Sequence, residues 1–409
     1  MDDPSPATSL LHHRAFMRFV YVRIAGSVAW QMQAVAIGWQ MYELTGSSFE
    51  LGLIGLVQFI PAVGLFVPTG HAADRYDRRW VSATSQSLEA IAVAVLTVAL
   101  VGGRLTPALL LAMAFVVAVG RAFEQPSQQS VLPNIVPAPL LPRAIAAANL
   151  AAQTAFVAGP ALGGALLAVS PSLTFAGCAV LWFSSAAVTI GIAMERVIAK
   201  REPIELRTMF SGLVFIWQHG VVLGAITVDL FVVLLGSATA LLPILAHDVY
   251  QIGPTGFGAL RSAPAAGAIV AALILTRHPI TRRVGHAMFA SVAAYGIGII
   301  LLALSPSFAL AVAALIVVGA ADTISMVIRQ TLVQLHTPDR MRGRVFAVNS
   351  MFTSTSNQLG TFRAGTAAAA LGAVPAVLLG GVSAIAVVLI SAGVFRDLLR
   401  ADSYTPGPP

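Results

Sequence analysis

The sequence predicts an all-α membrane protein of twelve transmembrane helices in two pseudo-symmetric six-helix bundles. Three observations predict it. Only 10% of the 409 residues are charged, 57% are hydrophobic, and the mean hydropathy is +0.84. Ordinary globular domains carry about 25% charged residues, so these charges are too few to clothe a soluble surface. Apolar runs of about 20 residues recur along the chain, long enough to cross a hydrocarbon core as helices. The basic residues collect in alternate connections, as a fixed topology requires. The runs are continuous and rich in Ala, Leu and Gly, without the alternation of a membrane barrel.

Residues 1–19 form a short N-terminal tail with Arg14 and Arg18 and no apolar stretch ending in a cleavage site. The first bundle, 20–194, holds expected spans at 20–43, 50–70, 80–101, 106–124, 143–168 and 173–194. A charged linker follows at 195–210 (ERVIAKREPIELR over 195–207). The second bundle, 211–396, holds spans at 211–240, 255–276, 284–304, 307–328, 344–370 and 374–395, and 397–409 form a C-terminal tail. Spans one and seven are long enough to tilt or kink. With both termini cytoplasmic, 21 of the 24 Lys and Arg residues fall on the inner side, leaving Arg104, Arg261 and Arg363. This placement accounts for the net charge of +7 without a nucleic-acid partner. The single cysteine, Cys178, excludes an intramolecular disulfide and a thiolate metal cluster.

The halves repeat. A shift of 201 residues sets Gln129 on Gln330, Pro137 on Pro338, Arg143 on Arg344, Gly159 on Gly360 and Gly164 on Gly365. Parallel repeats of this kind place a binding site near the bilayer midplane.

GHAADRYDRR (70–79) sets five charges in six residues between two apolar runs. It reads as a cytoplasmic loop between spans two and three. Asp74 is expected to face the positive N-terminal end of span eleven, and Arg75 or Arg78 to meet Glu124 at the end of span four. Such contacts can form in one state and break in another. The alternative reading is topology-setting charge alone.

Gly70, Asp74, Arg75, Arg78 and Arg79 resemble the loop motif of the major facilitator superfamily, with Asp77 standing where that family has glycine. Gly159-Pro160-Ala161-Leu162-Gly163-Gly164 resembles the span-five motif of its exporters, with Ala155 in place of the upstream glycine. GWQMYELTG (38–46), RAFEQPSQQSVLP (121–133), DLFVVLLGSATALLP (229–243), RSAPAAGA (261–268) and RQTLVQLHTPDRMRGRVFAVNS (329–350) resemble a bacterial exporter branch that includes the enterobactin exporter and macrolide-efflux transporters. The resemblance covers roughly residues 14–396. It implies the major facilitator fold, a bacterial inner membrane, and secondary active export of a small siderophore-like or drug-like molecule. Family stretches near 357–365 often carry acidic residues, whereas this chain reads NQLGTFRAG there.

Charges inside spans are functional candidates by default. They are Glu89, Asp229, Asp322 and Arg363, with Arg261 near the outer start of span eight. Asp229 and Arg261 lie on consecutive spans and are expected to be near enough to pair. Asp229 is thus either a proton carrier or a locked ion-pair partner. Gln31, Trp39, Asn149, Gln153, Asn349 and Asn357 are candidates to line a substrate path, against the alternative of interhelical hydrogen bonding and packing. Gly159 and Gly163 share a helix face, and Pro160 removes a backbone hydrogen bond. Together with Gly164 they suit a close seal between span five and span eight or eleven. No phosphate loop and no metal-ligand spacing appear, so no cofactor, no metal and no enzyme activity are expected. The expected partners are a small-molecule substrate, protons and the lipid bilayer, with no obligate protein partner. The expected function is proton-coupled antiport. A facilitator or importer, or a transporter-like receptor or scaffold, is the alternative.

Overall fold

A computed structural model describes residue 10, residues 13–193 and residues 206–404. Most of the N-terminal tail, residues 195–205 of the expected linker and the last five residues lie outside the described residues. Among the described residues every regular element is helical.

The first half contributes α1 (Arg14–Thr45), α2 (Ser48–Gly64), α3 (Phe66–Arg75), α4 (Arg78–Val101), α5 (Pro107–Val131), α6 (Leu141–Val169) and α7 (Pro171–Ile190). The second contributes α8 (Leu206–Gln218), α9 (Gly220–Gly236), the single turn α10 (Leu242–Ile244), α11 (Gly253–Arg277), α12 (Val284–Leu304), α13 (Phe308–Leu335), α14 (Asp339–Leu371), α15 (Ala373–Val394) and the short α16 (Arg396–Leu399). Nine stretches of the described residues are long and apolar enough to cross a membrane. The other three expected spans fall on α1, on α2 with α3, and on α14. These are more polar because they carry Gln31, Gln33 and Gln40, the 70–75 charges, and the polar run Asn349–Gln358.

Two expected spans are interrupted. Span two breaks at Leu65, just beyond the buried Pro61 inside α2. Span seven breaks at His219, where the backbone turns extended. The His219 ring stacks on Phe215 at 3.8 Å. Where spans continue, local chemistry sets the ends. Thr106 caps α5 by accepting from the Leu109 N–H at 3.2 Å, with Pro107 in the first turn. Ser307 caps α13 in the same way.

The chain divides into two compact units, Met1–Gln40 with Gly64–Ile204, and Met41–Val63 with Glu205–Pro409. Within the first, α4 packs along α5 and α7, and Phe175 and Trp182 are wholly buried. Within the second, α11 packs along α13, and α12 along α13 and α15. Its core is built on Ile216, Val222, Phe289, Leu332 and Val345. The second unit also takes in the end of α1 and nearly all of α2. There α2 lies directly on α14. A Cβ added at Gly55 would come within 2.5 Å of the Gln358 carbonyl, and one at Gly52 within 3.0 Å of the Phe362 carbonyl. Absent side chains let helix backbones meet in this way. Residues beyond 396, expected as a tail, are docked as far as they are described. The Gly285 N–H donates to the Ala401 carbonyl at 3.0 Å, and Leu398 is fully buried.

Candidate functional site

The charged stretch 70–79 is less of a loop than its composition suggests. Gly70 to Arg75 continue α3, and only Tyr76 and Asp77 separate it from α4. Asp77, the departure from the family's glycine, is the N-cap of α4. Its Oδ1 accepts from the Arg79 N–H at 3.0 Å, and its Oδ2 pairs with the Arg79 guanidinium at 2.8 Å. Arg79 also donates to the Ile192 carbonyl at 3.1 Å, tying the start of α4 to the end of α7. Arg75 is exposed and Arg78 half-buried.

Glu124 was expected to meet Arg75 or Arg78. Its basic partner is instead Arg121, one turn away on α5, at 2.5 Å. Helical spacing of three brings these two side chains together without help from another element. Glu124 is completely buried, and α5 runs on for two more turns beyond the expected end of span four. Gln86 of α4 donates to Glu124 at 3.1 Å and Gln128 at 2.6 Å. Arg23 of α1 donates to Gln128 at 3.4 Å, Thr189 of α7 donates to Gln86 at 3.0 Å, and the Arg121 guanidinium lies 4.9 Å from the Trp30 ring centroid. Four helices thus converge on one carboxylate whose acceptor capacity is well used.

Glu89 sits one turn along α4 from Gln86 and contrasts with it. Its side chain is completely buried, and neither carboxyl oxygen has a hydrogen-bond partner among the described residues. It packs directly on Gly120 of α5, where an added Cβ would come within 2.7 Å of the Glu89 Cγ.

In the second unit Asp229 is paired with Arg329 of α13, not with the expected Arg261. Thr353 of α14 also donates to Asp229, at 3.3 Å. Adjacent spans in sequence need not face each other with their charges, and Arg329 was hidden by its place near the expected inner end of span ten. The signal that could have found it is its helical register. Asp322 and Arg329 are seven residues apart and so lie on one face of α13. Asp322 itself is exposed. Arg261 is half-buried, and Arg363 donates to the Ser237 carbonyl at 3.4 Å.

Two of the span-five glycines, Gly159 and Gly163, lie against α1 within the first unit. A Cβ at Gly159 would come within 2.6 Å of the Gln31 Cβ, and one at Gly163 within 3.0 Å of the Met32 Cα. Pro160 and Gly164 are buried in the same helix. The repeat explains the choice, because Gly360 of α14 packs on Val233 and Leu234 of α9 in the corresponding way. A glycine marks close approach, but the sequence does not say to which neighbour.

Of the remaining candidates, Trp39 is buried, Gln31 and Asn349 are half-buried, and Asn149, Gln153 and Asn357 are exposed. Asn357 is partly used within α14, donating to the Thr353 carbonyl at 2.8 Å. A cluster missed by sequence reasoning joins the end of α1 to the turn before α11. Tyr42 donates to Asp248, and His247 contacts the same carboxylate at 2.6 Å.

The family model described as transmembrane secretion effector matches residues 5–403. The chain is 22% identical over 333 residues to macrolide efflux protein A of Streptococcus pyogenes, covering 80% of this chain and 82% of that protein. It is 25% identical over 350 residues to the multidrug efflux pump Tap of Mycobacterium tuberculosis, covering 81% of each. Among solved structures it is similar to the nucleoside transporter NupG, with TM-score 0.72 and 14% identity over 93% of this chain and 99% of that one. It is also similar to a bacterial homologue of the iron transporter ferroportin, with TM-score 0.71 and 15% identity over 96% of this chain and 100% of that one. At such identities the solved structures establish the fold. With the family match over nearly its whole length, the chain belongs to the transmembrane secretion effector family, a group of multi-pass membrane transporters within the major facilitator superfamily and not enzymes.

Proposed function

We propose that the chain exports a small amphipathic compound, drug-like or siderophore-like, from the bacterial inner membrane by alternating access, with protons returning in exchange and both termini cytoplasmic. Relatives named for macrolide and multidrug efflux support the direction and the substrate class. The observation that carries proton coupling is Glu89. A charged carboxylate there would be buried without one donor among the described residues, which is expensive in a membrane interior, whereas the neutral acid is tolerated. A group of this kind holds a proton while sealed and releases it when water or a donor reaches it. Asp229 is the lesser carrier, because Arg329 and Thr353 already hold its carboxylate. Glu124 likewise has Gln86, Gln128 and Arg121 as donors. In this reading Gly70, Asp74, Arg75 and Arg78 take part in gating. The glycines of α6 keep α1 and α6 moving as one body.

The test is transport in proteoliposomes with an acidic lumen and neutral exterior, using a labelled macrolide and a catecholate siderophore as probes. Accumulation above the level reached without a gradient is expected for one of them. Glu89→Gln is expected to lose that gradient-driven accumulation while still exchanging labelled for unlabelled compound. Accumulation by Glu89→Gln equal to the unaltered protein removes Glu89 as carrier. Equilibration that ignores the gradient in the unaltered protein removes antiport and leaves a facilitator.

A further inference from the structure

A cavity of about 280 Å³ lies in the second unit between the C-terminal turns of α13 and the N-terminal turns of α14. Arg329 and Gln330 line it from α13, and Phe346 and Asn349 from α14, with Val333 and Val345 completing an apolar wall.

Arg329 is the unusual member. It is only 7% exposed, and its Nη1 serves Asp229. Its Nε is buried with no acceptor among the described residues. A guanidinium offers five N–H donors in a flat fork, and buried donors in native proteins nearly always find an acceptor. Asp229 occupies one edge of the fork and leaves the Nε edge free, the geometry that receives a second carboxylate side-on. The other arginine of the cavity, Arg342, is engaged elsewhere. It donates to the Gln334 carbonyl at 3.1 Å and pairs with Asp339 at 2.8 Å. The unpaired Nε edge of a buried Arg329, amides at Gln330 and Asn349, and apolar side chains around them describe a complementary ligand.

We infer that this cavity is a binding site for a small amphipathic acid, with the acid group on the free edge of Arg329 and an apolar body against Phe346, Val333 and Val345. The site is independent of the direction and the coupling of transport. Its chemistry would accept either a soluble aryl carboxylate or the anionic headgroup of a lipid.

Gly343 supplies the decisive variant. It lines the cavity, and a Cβ added there meets nothing within 4 Å. Gly343→Phe therefore adds a bulky side chain at the cavity lining, with its Cβ free of any packed neighbour. Gly393→Phe, at an equally open glycine outside the cavity, is the control. The full chain is placed in phosphatidylcholine nanodiscs, and labelled salicylate binding is followed by equilibrium dialysis. Saturable binding at one site per chain is expected, weakened at least about tenfold in Gly343→Phe and unchanged in Gly393→Phe. The pair variant Asp229→Asn/Arg329→Gln, which removes both charges together, is expected to weaken it as much. In discs containing phosphatidylglycerol, displacement of salicylate identifies the headgroup as a second occupant of the same site. Phosphatidylglycerol held in native mass spectra by the unaltered protein but not by Gly343→Phe, with no salicylate bound, assigns the site to lipid alone. Retention of neither, or equal binding by Gly343→Phe and the unaltered protein, overturns the inference.

Discussion

Breaking the Asp229–Arg329 pair from one side should destabilise the protein far more than removing both charges. Each side chain is only 8% exposed. In Arg329→Leu the Asp229 carboxylate would keep one hydrogen-bond donor among the described residues, the Thr353 hydroxyl at 3.3 Å. Leaving one member of a buried pair uncompensated costs about 3–5 kcal/mol. The contrasting pair, Arg342 with Asp339, is 50% and 88% exposed, and such surface pairs contribute about 0–1 kcal/mol. Replacing both members of a buried pair by apolar side chains is often close to neutral. Asp229→Leu/Arg329→Leu should therefore recover at least about 2 kcal/mol relative to the sum of the single variants. The measurement is a double-mutant cycle by SDS-titrated unfolding of the purified protein in mixed micelles, with Asp339→Ala/Arg342→Ala as the exposed reference. Additivity of the buried pair within about 0.5 kcal/mol, the tolerance for independent sites, would refute the reasoning. It would mean that water or another cation already compensates Asp229.

Three further outcomes are expected. Asp77→Ala removes the N-cap of α4 and the anchor of Arg79, and should lower stability by about 1 kcal/mol, read in the same unfolding titration, while Asp77→Asn retains most of the cap. Gly55→Val places a side chain against the Gln358 carbonyl and the Thr361 side chain. It should cost about 1–3 kcal/mol, whereas Gly64→Ala, with open space around it, stays within about 0.5 kcal/mol. Tyr42→Phe removes a donor to Asp248 and should loosen the end of α1, seen as faster amide hydrogen exchange in the last turn before Thr45 with no change across α4.

The class of protein was legible from composition and hydropathy, because a bilayer imposes long apolar helices and a side for its basic residues. The two-fold repeat was legible too. Its meaning became clear only in three dimensions, where Gly159 on α1 matches Gly360 on α9. Partners across long sequence distances were not legible. Asp229 and Arg329 lie 100 residues apart, and proximity along the chain pointed to Arg261. Glu124 was singled out, but its partner came from its own helix. The break at Leu65 escaped notice because hydropathy continues smoothly through it, whereas span seven was long enough to kink and breaks where Gln218 and His219 interrupt its apolar run. The pairing that separates Glu124, with its donors, from Glu89, with none among the described residues, depends on which face of α4 meets α5. Sequence alone could mark both only as charges in costly places.

The position of residues 41–63 has a consequence for how the chain can be divided. The polypeptide passes between the two units at Gln40–Met41 and at Val63–Gly64 as well as in the central linker. A cut in that linker therefore does not yield two self-contained fragments. The N-terminal fragment would carry a helix whose glycine face, Gly52 and Gly55, belongs against α14. The C-terminal fragment would lack that cover. Co-expressed halves should find each other through this borrowed helix, and an N-terminal fragment shortened to omit it should fail to do so.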